Sequence, residues 1–158
     1  GAGQMARVRR TFREAVVFVA EQYLPHDVFQ PAASGGIREQ LLAIGKAFAA
    51  LMHSPESEAV HRMMASDARL SGQLGPMFYE VGPKRLLGEF GAFLTGAVAA
   101  GQLQVPEVER AAEHFFALLK GEAMNRMLWG CQGFCSHGDS DAHISSVVDL
   151  FLRAYAPR

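Results

Sequence analysis

The stretch Glu109–Trp129 constrains this chain more than any other, because its apolar residues run too far round a helix for that helix to stand alone in water. At ~3.6 residues per turn, successive side chains fall about 100° apart. On that wheel Ala111, Phe115, Leu118 and Trp129 form one line, and Ala112, Phe116, Leu119, Ala123 and Met127 form a second beside it. Met124 and Leu128 carry apolar surface toward the far side. A helix covered this broadly packs against two bodies at once. The expectation is one continuous rod, walled by its own domain on one flank and by a second copy of the chain on the other. Within the sector, Glu122 and Arg126 stand four apart with the acid first, the favourable order for a helical ion pair. They read either as a rim pair contributing ~0–1 kcal/mol or as a polar anchor for a ligand or partner.

The remaining segments are helical in pattern as well. Val8, Phe12, Ala15, Val16, Val19 and Tyr23 recur at helical spacing until Pro25, although Arg7, Arg9, Arg10 and Arg13 place positive charge where a free helix start disfavours it. His26–Gly36 reads as a loop. Ile37, Leu41, Ile44, Phe48, Leu51 and Met52 form the stripe of a second helix. Ser54-Pro55-Glu56 then reads as N-cap, first-turn proline and first-turn acid of a helix over Pro55–Leu70, with Val60, Met63, Met64 and Ala68 inward. A helix from Leu74 is broken at Gly82-Pro83 and resumes as Leu86 to Val98, stopping at Gly101. After a loop over Gly130–Asp139, Ser140 or Asp141 caps a last helix carrying Ile144, Val147, Val148, Phe151 and Tyr155. No segment alternates with period two, so the fold class is all-α, a bundle of about six helices.

Length and charge narrow the function. With 158 residues, about half of them hydrophobic, the chain makes one domain with a real core. A formal charge of −1 argues against a nucleic-acid surface, which needs clustered Lys and Arg. No apolar run reaches the ~18–20 residues of a membrane span, and the N-terminus lacks a signal-peptide pattern. A cytoplasmic protein with no membrane partner is the expectation. Gly1-Ala2-Gly3-Gln4 before Met5 reads as a cloning remnant, leaving residues 5–158 as the domain.

Chemistry is sparse. Cys131, Cys135, His137 and His143 invite a zinc reading, but their spacing is looser than paired zinc ligands use, and reduced loop cysteines are the expectation: no metal, no cofactor. There is no phosphate-binding loop, nucleophile elbow or H-E-x-x-H pair, and no acid/base pair can be assembled, so no catalytic residue is assigned. Eleven phenylalanines and seven methionines are the stronger signal. Phe48, Met52, Met63, Met64, Phe78, Tyr79, Phe90, Phe93, Phe115, Phe116 and Leu119 come from several helices that could surround one space. They make either a tight core or a small-molecule cavity, with His61, Tyr79, Glu122 and Arg126 as its polar groups. Two other readings stay open: a helical module that docks a different protein, and a small helical enzyme with an apolar pocket.

Several phrases resemble the C-terminal domain of TetR-type transcriptional repressors of the AefR-like branch. They are Leu42–Met52 with His53-Ser54-Pro55-Glu56, Leu74-Gly75-Pro76-Met77-Phe78-Tyr79-Glu80-Val81-Gly82-Pro83, Leu86–Gly101 followed by Gln102-Leu103-Gln104-Val105, and Ala112–Glu122. The resemblance implies an effector-sensing domain that dimerises through its last two helices and takes a small hydrophobic effector. It places Asn125, Trp129, Ile144, Val147, Val148, Phe151 and Tyr155 at the interface of a homodimer. Operator DNA would be reached only through an N-terminal helix-turn-helix, and none precedes Val8 in this sequence. Ligand binding would alter operator affinity by linkage between the two sites.

Overall fold

Two proline signals decide where helices begin. The computed structural model describes residues 1–31, 35–131 and 137–158. Ser54 caps the helix Pro55–Asp67, its Oγ accepting from the Ser57 amide at 3.1 Å, with Pro55 in the first turn where no amide partner is needed. Gly82 closes one helix and Pro83 opens the next, separating what would otherwise be one apolar run. Among the described residues the α-helices are α1 (Ala2–Tyr23), α2 (Ile37–Met52), α3 (Pro55–Asp67), α4 (Leu74–Val81), α5 (Pro83–Ala99), α6 (Val108–Leu128) and α7 (His137–Tyr155), with a short 3-10 turn at His26–Phe29. The all-α class stands. The interruption expected at Gly82-Pro83 separates α4 from α5 and gives seven α-helices among the described residues.

Helix ends follow local chemistry. Gly101 takes φ +75° after α5, and the Gln102 and Gly101 amides return to the carbonyls of Ala97 and Val98. Gly130 does the same after α6, with Cys131 and Gly130 donating to Arg126 and Met127. Both are closures that need a residue free to adopt positive φ. At the other end, α1 starts at Ala2 rather than Val8, so Gly3 and Gln4 lie inside it. Ala, Gln, Met and Arg are strong helix formers, and they extend the helix backwards. Likewise α7 starts at His137, ahead of the expected cap at Ser140.

The helices bury two separate apolar clusters. The larger joins α2, α5, α6 and α7 through Leu41, Ile44, Phe48, Phe90, Leu94, Phe115, Phe116, Ile144, Val148 and Phe151. Its centre is aromatic: Phe90 stacks on Phe115 with centroids 4.7 Å apart, and Phe116 and Phe151 meet that pair edge-on or tilted. Such pairs contribute about 0.5–1.5 kcal/mol each beyond area burial. The smaller joins Phe12 and Val16 of α1 to Leu74 of α4, with Val60, Met64, Met77, Phe78 and Val81 against them. Gly45 lets α2 approach α7 closely: a Cβ there would sit 2.8 Å from Ile144 Cγ2. Arg38 of α2 reinforces the same contact, donating to Asp149 at 2.8 Å and to Ser145 at 3.3 Å.

The central helix is not one straight rod. Gly121 takes φ +50° and ψ −155°, outside helical geometry, and bends α6 there. The expectation of an unbroken helix to Trp129 is corrected by this single residue, since only glycine adopts such angles freely.

Candidate functional site

Because the two clusters face one another without closing, a cavity of about 650 Å³ lies between them. Its walls are Val16 and Val19 of α1, Phe48, Leu51 and Met52 of α2, Val60 and His61 of α3, and Phe78 and Tyr79 of α4. Leu86 and Leu87 of α5 and Phe116, Lys120 and Met124 of α6 complete them. A smaller chamber of about 170 Å³ lies beside it, reaching His53, Leu119, Met127, Ser140, His143 and Ile144. Phe48, Met52, Lys120 and Met124 belong to both linings and form the partition. The larger volume falls within the roughly 300–1,000 Å³ of drug-sized ligand sites.

The α6 wall has a simple origin. Glu113, Phe116, Ala117, Lys120, Gly121 and Met124 recur at helical spacing and so share one stripe, which faces the cavity. Charge along the rim is mostly settled locally: Glu89 takes His26 at 3.1 Å and Arg85 at 3.7 Å. His61 is fixed by its own helix, its Nδ1–H donating to the Ser57 carbonyl at 2.7 Å, and its ring meets Phe78 edge-on at 5.7 Å. In the neutral ring that leaves Nε2 as an acceptor. Lys120 differs, having no hydrogen-bond or ion-pair partner among the described residues. Lys120 is exposed as a residue yet lines both chambers, and desolvation by the side chains around its ammonium lowers its pKa below the usual lysine range.

At the bend, His143 of α7 closes over Gly121. Its Nε2–H donates to the carbonyls of Leu118 and Leu119 at 2.9 and 3.1 Å, just before the bend. The imidazole lies where a Gly121 Cβ would meet it at 3.3–3.4 Å.

The residues expected to meet a ligand divide. Phe48, Met52, His61, Phe78, Tyr79 and Phe116 line the larger chamber, and Leu119 the smaller. Phe90, Phe93 and Phe115 do not; they are buried in the aromatic centre beneath it. Met64 packs against the Phe12 cluster, and Met63 is exposed, as is Ala68, which was expected inward. Glu122 and Arg126 are exposed, form no ion pair among the described residues and lie outside both linings. The stripe that includes Lys120 turns away from them. The i,i+4 spacing of Glu122 and Arg126 singles out that charged pair in the sequence, whereas the signal for Lys120 is only its place four residues after Phe116, on the cavity face.

The expected interface residues also move. Ile144, Val147, Val148 and Phe151 are buried in the domain's own core, so they cannot form a surface between subunits. Tyr155 packs on Phe151 at 4.8 Å, and Asn125 lines the larger chamber. Trp129 is largely exposed, at 70%, and Asn125 is exposed as well. The correction has a geometric reason: the apolar stripe of α7 is spent on α2 and α6, leaving its opposite face outward. Cys135 lies outside the described residues, and the Cys131–Cys135–His137–His143 set cannot be placed. Among the described residues no three His, Cys, Asp or Glu side chains converge on a metal position. Nor is any described helix long and apolar enough to cross a membrane.

Comparison with known proteins gives consistent results. The family described as AefR-like transcriptional repressor, C-terminal domain, matches residues 39–157. A solved structure from Mesorhizobium loti, described as a TetR-family transcriptional regulator, is 19% identical with a TM-score of 0.72, over 98% of this chain and 70% of its own. The flavonoid-responsive regulator FrrA is 24% identical with a TM-score of 0.75, over 93% of this chain and 74% of its own. At these identities the likeness is one of fold. No curated protein matches the chain.

Proposed function

Since the chain belongs to the AefR-like C-terminal domain family of TetR-type transcriptional repressors, we propose that it is the effector-sensing and dimerisation part of such a regulator. TetR-family regulators bind DNA and small ligands and act as dimers; they are not enzymes. The cavity of about 650 Å³ between two apolar clusters is the observation that carries the reading. Its occupant is a largely apolar small molecule. Operator contact belongs to a helix-turn-helix outside residues 1–158, and effector binding modulates it. FrrA is by its name flavonoid-responsive, and a flat aromatic molecule of that size class suits walls built from Phe48, Phe78 and Phe116.

The dimer forms through the outward faces of α6 and α7. Leu118, Trp129 and Leu150 are 40%, 70% and 49% exposed on these neighbouring helices, and exposed large apolar groups of this kind favour burial against a partner. Two measurements test the reading. Sedimentation should give a dimer that Leu150→Glu with Leu118→Glu dissociates, and a monomer for the unsubstituted chain at high concentration would defeat it. Native mass spectrometry or an uncharged apolar dye should reveal saturable binding of one molecule per chain; a cavity that takes up neither defeats the sensor reading.

A further inference from the structure

Within that sensor reading, on which this inference rests, Lys120 is the lining lysine or arginine with no hydrogen-bond or ion-pair partner among the described residues, since Arg85 is held by Glu89. It sits on the partition between the chambers, surrounded by Phe48, Met52, Phe116 and Met124. Although Lys120 is exposed as a residue, the apolar side chains around its ammonium strip part of its hydration, a cost that stands unless something compensates it. The nearby charges do not. Arg85 and Glu89 are already paired, and Glu113 stands seven residues earlier on the same helix, about 10 Å along the axis. His143, in the smaller chamber, donates its Nε2–H to backbone.

We propose that Lys120 anchors an acid group (carboxylate, sulfonate or ionised phenol) on an otherwise apolar effector, whose ring body fills the larger chamber. An ammonium is a compact cation with three donors, and a single anionic oxygen group satisfies it without requiring the planar fork that arginine needs. The rest of the lining then selects for hydrophobic bulk. The domain thus recognises an amphipathic aromatic acid and distinguishes it from the uncharged molecule of the same shape. The selectivity follows from leaving the ammonium unpaired when the acid is missing.

The matched probes are anilinonaphthalene sulfonate and its uncharged parent phenylnaphthylamine, titrated by fluorescence and by mutual displacement against the intact chain. The sulfonate should bind at least about tenfold tighter than the parent, as a hydrogen bond to a charged group implies. Lys120→Met should abolish that advantage and leave the parent's affinity unchanged, while Lys120→Arg keeps most of it; a melting curve on each variant establishes that it is folded. Equal affinities in the unsubstituted chain, or a loss in Lys120→Met that falls equally on both probes, would overturn the anchor and leave the cavity reading intact. If the parent fails to bind saturably, the sensor reading fails and the anchor with it.

Discussion

Gly121→Ala puts two opposing energies on one residue. In the bent helix, an L side chain at φ +50° and ψ −155° costs about 1–3 kcal/mol of backbone strain. The new Cβ would also stand 3.3 Å from His143 Cε1 and 3.4 Å from Nε2, so the imidazole has to give by a few tenths of an ångström. In a straight helix the same substitution gains about 1 kcal/mol, because alanine is the better helix former. While packing holds the bend, that gain is out of reach and the backbone strain sets the sign. Gly121→Ala should then lower unfolding stability by about 1–3 kcal/mol, seen as a fall in Tm of about 2–12 °C for a domain of this size.

Urea and thermal unfolding measure that loss, and a double-variant cycle identifies its origin. His143→Ala alone should cost about 0.5–1.5 kcal/mol, the net worth of a hydrogen bond. If Gly121→Ala displaces the imidazole from the Leu118 and Leu119 carbonyls, adding His143→Ala should cost less than it does in the parent. A Gly121→Ala protein as stable as the parent, with an unchanged cost for His143→Ala, would refute the bend as a built feature of α6.

Three further outcomes follow from single contacts. Gly45→Ala drives a methyl to 2.8 Å from Ile144 Cγ2 and should destabilise by about 1–3 kcal/mol of overpacking, a loss that Ile144→Ala in the same chain partly relieves; additive costs in urea unfolding would sink the close-approach argument. Lys120 has a depressed pKa, so the folded state holds its proton less tightly than the unfolded state does. Its desolvation penalty is therefore present at neutral pH and fades as pH rises toward the ordinary lysine value of about 10.4; Lys120→Met should gain stability at neutral pH, with a margin that shrinks in alkali, and a pH-independent margin would contradict it. Asp67 accepts from the Leu74 amide at 3.0 Å and the Ser71 hydroxyl at 2.6 Å, which lowers its pKa. Its contribution is present above the ordinary aspartate value of about 3.9 and is lost as pH falls through the lower folded value, so Asp67→Asn should flatten the acid limb of a Tm-versus-pH curve; an unchanged limb would remove Asp67 from the account.

How far this fold could be read from sequence depended on how local its causes were. Ser54-Pro55, Gly82-Pro83 and Gly101 act through their own backbone, and helix boundaries appeared where those residues demanded them. Gly121 is different. It lies in a run whose other residues favour helix, and its positive φ becomes worthwhile only where His143, 22 positions later, caps the interrupted carbonyls. Periodicity had the same limit. It identified Phe48, Phe90, Phe115 and Phe116 as inward, but inward residues divide into those that fill space and those that border it, and the wheel does not separate them. Phe90 is fully enclosed while Phe116, also buried, forms part of the cavity wall. For α7 the ambiguity ran the other way: Ile144, Val148 and Phe151 make a good stripe, and a stripe does not say whether its partner is the same chain. Here α2 claims it, because Gly45 brings the two backbones together and Arg38 ties them to Asp149. The face left for a second subunit is the less apolar one, carrying Leu150 but also Ser146 and Arg153. A dimer held there should be more sensitive to salt and to a single introduced charge than one sealed by the buried stripe, since its rim is polar and solvent-accessible. Leu150→Glu therefore discriminates between the two geometries: placed on the outward face it weakens self-association while leaving the melting temperature of the monomer nearly unchanged.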